Sequence, residues 1–332
     1  MDNIQYENPQ NQYLQEALNN ILTLSGLTPV NVSEHNYWFL RTQSGEFFQE
    51  FYLNDYIAIG WDDVPCLEEP DRTEAIKDDI KNKLGYGQPT RVLNQVYRFC
   101  HRMKKGDVVI IPSSGSANLA FGRLLEDEYY EHTISEEEKE DNKCPYSRRR
   151  KIEWLKTSKR NMIDPKLFSF FRNQQALANA NEYAEFIERA INPFYIKDNI
   201  AHLNLSVKIK ESPKATDIPY YIIGLNEQMQ LLADDLGINL SEPEARINVQ
   251  SDGIIELFGN PLTIFIAGLI IVGIFGGKFK LLCIDIETPG VIGAMEKIVN
   301  SYIKIQQCKR NISEEKIKEI QQRLNIEDPR EK

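Results

Sequence analysis

The chain has 332 residues, 42% hydrophobic and 27% charged, enough apolar material for two cores, and its composition excludes collagen-like or disordered classes. A formal net charge of −10 excludes a protein that coats nucleic acid through bulk charge, because such binding rests on many phosphate contacts; only a local basic face remains open. The five cysteines (Cys66, Cys100, Cys144, Cys283, Cys308) stand singly, without C-x-x-C or zinc spacing, which predicts free thiols in a reducing cytosol.

The first residues carry no basic region followed by an apolar stretch and a small-residue cleavage site, so no secretory signal is expected and the predicted location is cytoplasmic. Residues 11–25 place Tyr13, Leu14, Leu18, Ile21, Leu22 and Leu24 on one helical stripe, with Gly26 as its stop. After a linker at 29–36, short apolar runs alternate with turns: YWFLR, a turn at Gly45 and Glu46, YIAIGW, GDVVIIP and LAFGRLL. Two helical stretches, 73–85 and 89–103, interrupt them before a central strand at 107–112. The acidic run at 126–141 predicts a solvated hairpin tip or loop. SRRRKIEWLKTSKR then predicts a closing strand with basic flanks.

Residues 165–191 read as a helical pair ended by Asn192 and Pro193. A second β-containing unit starts near Tyr195, followed by a helix around 226–236. The phrase INVQSDGIIE (247–256) recurs as IDIETPGVIG (284–293), which predicts two equivalent strands, and helical periodicity resumes at 295–321. The expected organisation is an N-terminal helix and linker (1–34), a strand-rich domain (35–160), a helical linker (161–194) and an α/β module (195–332). The fold class is α+β.

Between the repeated phrases lies PLTIFIAGLIIVGIFGG (261–277), uncharged and at the lower limit for spanning a bilayer as a helix. Two readings stay open. In one it is a membrane segment, spanning or re-entrant, with Lys278 and Lys280 holding the C-terminus in the cytoplasm. In the other it is a buried helix or protein-contact element crossing between the repeated strands, where Gly268, Gly273, Gly276 and Gly277 allow close packing.

The chain has no phosphate loop, no G-x-S-x-G elbow and no H-E-x-x-H, and its four histidines are isolated. No cofactor or metal is expected. Weak nuclease candidates are Asp285 with Glu287 and Glu153 with Lys156, although alternating charges on a strand more often form its solvent face. The balance of motifs points away from an enzyme. The richer constellation is aromatic and polar: Trp38, Arg41, Trp61 and Asp62 near the ends of predicted strands. Aromatic faces hold a planar base by stacking, worth roughly 1–3 kcal/mol per base, while Arg or Asp reads a polar edge. Placement of Trp38 and Trp61 in the core of a small barrel is the alternative.

The order of W-x-x-R (38–41), I-A-I-G-W (57–61), F-x-x-x-M-K-K-G-D-V-V-I-I-P (99–112), F-G-R-L-L-E (121–126) and Y-S-R-R-R-K-I-E-W (146–154) resembles the EVE-like domains of the PUA superfamily found upstream of Mrr-type restriction nucleases. The resemblance covers a little over a third of the chain. It implies a PUA-like mixed β-barrel whose pocket takes a flipped or modified base, commonly in prokaryotic defence. Position by position, it implies a pocket bordered by Trp38, Arg41, Trp61, Asp62, Ser113 and Ser114, and phosphate contacts from Arg148, Arg149, Arg150, Lys151, Lys156 and Lys159. The family's usual PD-(D/E)xK nuclease is not recognisable after residue 160. Three functions follow: a sensor of a modified base or nucleotide that signals through its C-terminal module; an adaptor that homo-oligomerises through 195–332; and a divergent restriction-type nuclease.

Overall fold

The computed structural model describes residues 9–32, 35–68, 71, 73–171, 175–208, 214, 216–248, 252–275, 289–307 and 314–330. They form two compact units: a central unit, Glu34–Ile191, and a terminal unit built from Met1–Ser33 with Asn192–Lys332.

In chain order the terminal unit begins with α1 (Pro9–Leu24) and β1 (Val30–Asn31). Gly26, at φ +90°, stops the helix as expected. The central unit then runs β2 (Tyr37–Leu40), α2 (Phe48–Leu53), β3 (Tyr56–Ile59), α3 (Glu74–Asn82), α4 (Pro89–Tyr97), a wider helical turn at Arg98–Arg102, β4 (Val108–Pro112), β5 (Asn118–Leu124), β6 (Tyr130–Glu131), α5 (Glu136–Glu140), β7 (Arg148–Lys159), α6 (Leu167–Phe170), β8 (Leu177–Asn179) and α7 (Ala184–Ile191). The chain returns to the terminal unit with β9 (Phe194–Lys197), β10 (Ile200–Lys208), α8 (Asp217–Leu236), β11 (Glu244–Asn248), β12 (Asp252–Gly259), α9 (Pro261–Ile274), α10 (Pro289–Gln307) and α11 (Glu314–Leu324).

The central sheet has the order β3-β7-β5-β4-β2-β8, with β6 also on β7. Only β2 and β4 pair in parallel within it; α2, β3, α3 and α4 form the crossover between them. Alternate residues bury opposite faces. Trp38, Leu40, Val109 and Ile111 meet Phe47, Phe51, Phe99 and Met103 on one side, whereas Tyr37, Phe39, Val108 and Ile110 meet Leu167, Ile187 and Ile191 on the other. A register shift between Phe121 and Gly122 bends β5 against β7, and Gly122 makes room for Ile152, whose Cδ1 would lie 2.6 Å from an added Cβ. Such a bulge sharpens the twist. The result is a mixed α/β unit with a curled, half-barrel sheet rather than a closed barrel.

Several expectations change. Residues 161–194 are not a helical linker, because β8 pairs with β2 and α7 packs into the second central core. The acidic run is not only a loop: Ser135 and Glu138 form a capping box that starts α5, whose residues all stay unburied. Cys66 and Cys100, expected as free thiols, are joined in a disulfide with a Cα separation of 6.4 Å. Cys144 is free and buried; Cys283 and Cys308 lie outside the described residues.

In the terminal unit the sheet order is β1-β9-β10-β12-β11, and Leu203, Leu205, Val207, Ile255 and Leu257 share a core with α1, α8 and α9. The N-terminal helix is therefore part of this unit and not an appendage. α9 is apolar on every side because α1, α8, β10 and β12 all pack on it. Its 14 residues span roughly 21 Å at 1.5 Å per residue, short of a ~30 Å hydrocarbon core. Among the described residues no helix is long and apolar enough to cross a membrane, so the membrane reading of 261–277 has no support. Gly273 faces Tyr302 so closely that an added Cβ would sit 1.6 Å from its hydroxyl; Gly276 and Gly277 lie outside the described residues. Of the repeated phrases, the first divides between β11 and β12 and residues 289–293 of the second open α10; residues 284–288, the expected second strand, lie outside the described residues.

Candidate ligand site

Because β2 and β4 run in parallel, their C-terminal ends leave the central sheet at one edge, and the turns that follow them meet there. Thr42 Oγ1 donates to Pro112 O at 2.5 Å. Gly45, at φ +98°, approaches so closely that an added Cβ would lie 2.1 Å from Ser114 N, a position open to glycine alone. Gln43, Ser44 and Ser116 also adopt positive φ. Ser113 Oγ accepts the Asn118 N–H at 2.8 Å, and Ser114 is exposed.

From these turns the surface continues through aromatic rings. Phe47 packs edge-on to Tyr146 with centroids 5.5 Å apart. Tyr146 lies over Gly60, where a Cβ would come within 3.1 Å of the ring. Next in the chain, Trp61 is half-buried and holds φ +66°, an uncommon conformation for a bulky side chain. Asp62 is exposed and accepts the Ser147 N–H at 2.8 Å. Burial raises the Tyr146 hydroxyl pKa, reinforced by the charges of Cys144, Glu46 and Asp62. The half-buried rings of Trp61 and Tyr146, backed by the buried Phe47, thus lie with the exposed Asp62, Glu46 and Ser114 in a mouth of aromatic faces and acceptor oxygens.

The three consecutive arginines of β7 bond to backbone carbonyls, Arg148 and Arg149 to those of mouth residues. They are 7%, 5% and 1% exposed. Arg148 donates to the carbonyls of Trp61 (3.1 Å), Asp62 (3.2 Å) and Val64 (2.7 Å). Arg149, on the other face, donates to Tyr146 O and Cys144 O and lies 4.3 Å over the Tyr56 ring. Arg150 donates to Phe99 O, Cys100 O, Glu126 O and Asp127 O. Burial lowers its pKa to about 10, so it remains charged near neutrality. Buried guanidinium groups persist where their donors are matched by acceptors. Glu50 completes the frame, accepting from the Tyr56 hydroxyl and the Cys144 N–H. Burial pushes the Cys144 thiol up to about 12.

The other sequence-derived positions are scattered. Trp38 is 4% exposed, and its Nε1–H donates to Asp107 Oδ2 at 2.7 Å, a carboxylate that also accepts the Asn36 and Lys104 N–H groups; it belongs to the core and not to a pocket wall. Arg41 is half-buried with Nη2 on Phe171 O at 2.9 Å. Burial corrects the expectation that Arg148, Arg149 and Arg150 face phosphates. Lys151, Lys156 and Lys159 are exposed; Lys151 pairs with Glu126 at 3.0 Å, and Lys159 borders a cleft of about 520 Å³ with Asn118, Arg160 and Phe168. Glu153 is exposed on β7. Asp285 and Glu287 lie outside the described residues, among which no group of three His, Cys, Asp or Glu side chains has the arrangement to hold a metal ion.

Sequence reasoning missed Phe47, Glu46 and Tyr146. Tyr146 stood within the recognised motif string, but its partners come from a turn about 100 residues earlier and only folding joins them. A family model described as a domain of unknown function (DUF8426) matches residues 37–177, the stretch from β2 to the start of β8 that contains every mouth residue and all three buried arginines. No curated protein and no solved structure matches.

Proposed function

We propose that the central unit is a PUA-like, EVE-like recognition module that takes a modified base or nucleotide at the mouth formed by Trp61, Tyr146, Asp62, Glu46 and Ser114. The sensing role belongs to prokaryotic defence, with the terminal unit as output. The observation that carries this reading is Trp61, a half-exposed indole at positive φ in a loop whose carbonyls at Trp61, Asp62 and Val64 accept from Arg148. Unfavourable backbone conformations sustained by surrounding structure concentrate where ligands are held. Trp61 and Tyr146 offer stacking faces, and Asp62 and Glu46 accept N–H groups from a base edge. A thermal-shift panel of modified and unmodified nucleosides, mononucleotides, cyclic oligonucleotides and modified duplexes tests it on the full chain. At least one base-containing ligand raises Tm, and Trp61→Ala abolishes the shift; a flat panel overturns the reading.

The assembly reading keeps one specific observation. β11 ends the terminal sheet with residues 244–247 exposed, including Ile247 at 52%, and an open edge is a template for strand pairing. A concentration-independent monomer mass in light scattering at tens of micromolar would remove it.

A further inference from the structure

We infer that a second site, a cleft along one face of α4, binds a phosphate group. The cleft encloses about 450 Å³ and is lined by Gln88, Thr90, Arg91, Asn94, Arg98 and Gln175 among others, with no Asp or Glu among the described residues that line it. In a chain of net charge −10, two half-buried guanidinium groups in this cleft form a local field of the opposite sign. Each is aimed by an amide oxygen: Arg91 Nη1 donates to Gln88 Oε1 at 3.3 Å and Arg98 Nη1 to Gln175 Oε1 at 3.1 Å. Neither bond neutralises the charge, and both leave further donors of the planar fork for a phosphate.

The helix adds to this field. α4 begins at Pro89 with no side-chain cap from Gln88, so the first N–H groups and the positive end of the helix dipole open beside Thr90 and Arg91. The floor is fixed: Gln95, 3% exposed, accepts the Ala176 and Leu177 N–H groups at 2.6 and 3.2 Å, tying α4 to the strand beside β2. Arg91 and Arg98 are seven residues apart on one helical face, about 10 Å along the axis, a span suited to a pyrophosphate or to successive phosphates of a strand. This inference stands on the α4 cleft alone, and failure of base binding at the mouth would leave it intact.

Calorimetric titration of the full chain with sodium pyrophosphate, a 5′-mononucleotide, its nucleoside and a twelve-residue single strand tests it. Arg91→Gln, Arg98→Gln and the double variant are compared with wild type at matched circular dichroism. The expected result is pyrophosphate binding that weakens about tenfold or more in the double variant, as loss of charge-assisted bonds implies, while nucleoside binding is unchanged. Loss of strand affinity with a shallower salt dependence assigns the phosphate to nucleic acid; loss confined to pyrophosphate and the mononucleotide assigns it to a small nucleotide. Should the double variant unfold, Arg91→Gln alone, whose amide partner is exposed, carries the same comparison. Equal pyrophosphate affinity in a folded variant, or no binding of any phosphate-bearing probe to wild type at millimolar concentration, overturns the inference.

Discussion

The two parts of β7 are both basic in sequence and meet opposite fates. Arg148, Arg149 and Arg150 sit where the strand is flanked by β3 on one edge and β6 on the other, and their side chains end on main-chain carbonyls beneath the surface. Lys151, Lys156 and Lys159 lie exposed on the remainder. Charge in a sequence therefore does not locate charge on a surface; strand neighbours and the supply of acceptors decide. The mouth accordingly owes its shape to basic residues and its exposed character to rings and carboxylates.

This comparison breaks most visibly at Arg150. Arg150→Ala leaves four carbonyls without their donor and should cost about 3–5 kcal/mol in urea unfolding. Arg148→Ala should cost about 2–3 kcal/mol, since it releases the 61–64 loop, and it should also red-shift tryptophan emission as Trp61 gains solvent. Equal, small effects in both variants would contradict burial of the arginines.

The frame beneath Tyr146 gives a pH test. The Cys144 thiol titrates near 9 in an unfolded chain and at about 12 when folded. In that window the folded state holds a proton that the unfolded state has lost, so its contribution to stability is complete below pH 9 and declines as pH rises toward 12. Urea midpoints across this range should fall less steeply in Cys144→Ala, and the native thiol should resist alkylation at pH 8. Smallest is the effect at the other half of β7: Lys151, Lys156 and Lys159 changed together to Gln should alter stability by no more than about 0.5 kcal/mol per site.

Much of the fold was legible. α1 followed from one apolar stripe and Gly26, and β2 to β5 from short apolar runs broken by turns. Alternation shows that Trp38 shares a face with Leu40; it does not show whether that face meets a core or a ligand, and the deciding partner, Asp107, lies 69 residues away. The arginine run was misread for the same reason, because the acceptors of Arg148 and Arg150 come from backbone 23 to 87 residues distant. Of the phrase repeated near residues 247 and 284, the first copy divides between β11 and β12, and the alternating part of the second, 284–288, lies outside the described residues. Segment 261–277 displayed its hydrophobicity openly, but sequence could not say that α1, from the opposite end of the chain, covers it.

The most direct measurement compares the two tryptophans that sequence nominated equally. Dissociation constants for the most strongly stabilising nucleoside should rise about tenfold or more in Trp61→Ala, the order expected for losing one stacking platform. Trp38→Phe, which removes a buried bond to Asp107, should lower stability by about 1–3 kcal/mol and change the dissociation constant less than about twofold, well inside a 1.4 kcal/mol tenfold step. Equal losses of affinity in both folded variants, or a larger loss at Trp38, would contradict the assignment of the mouth.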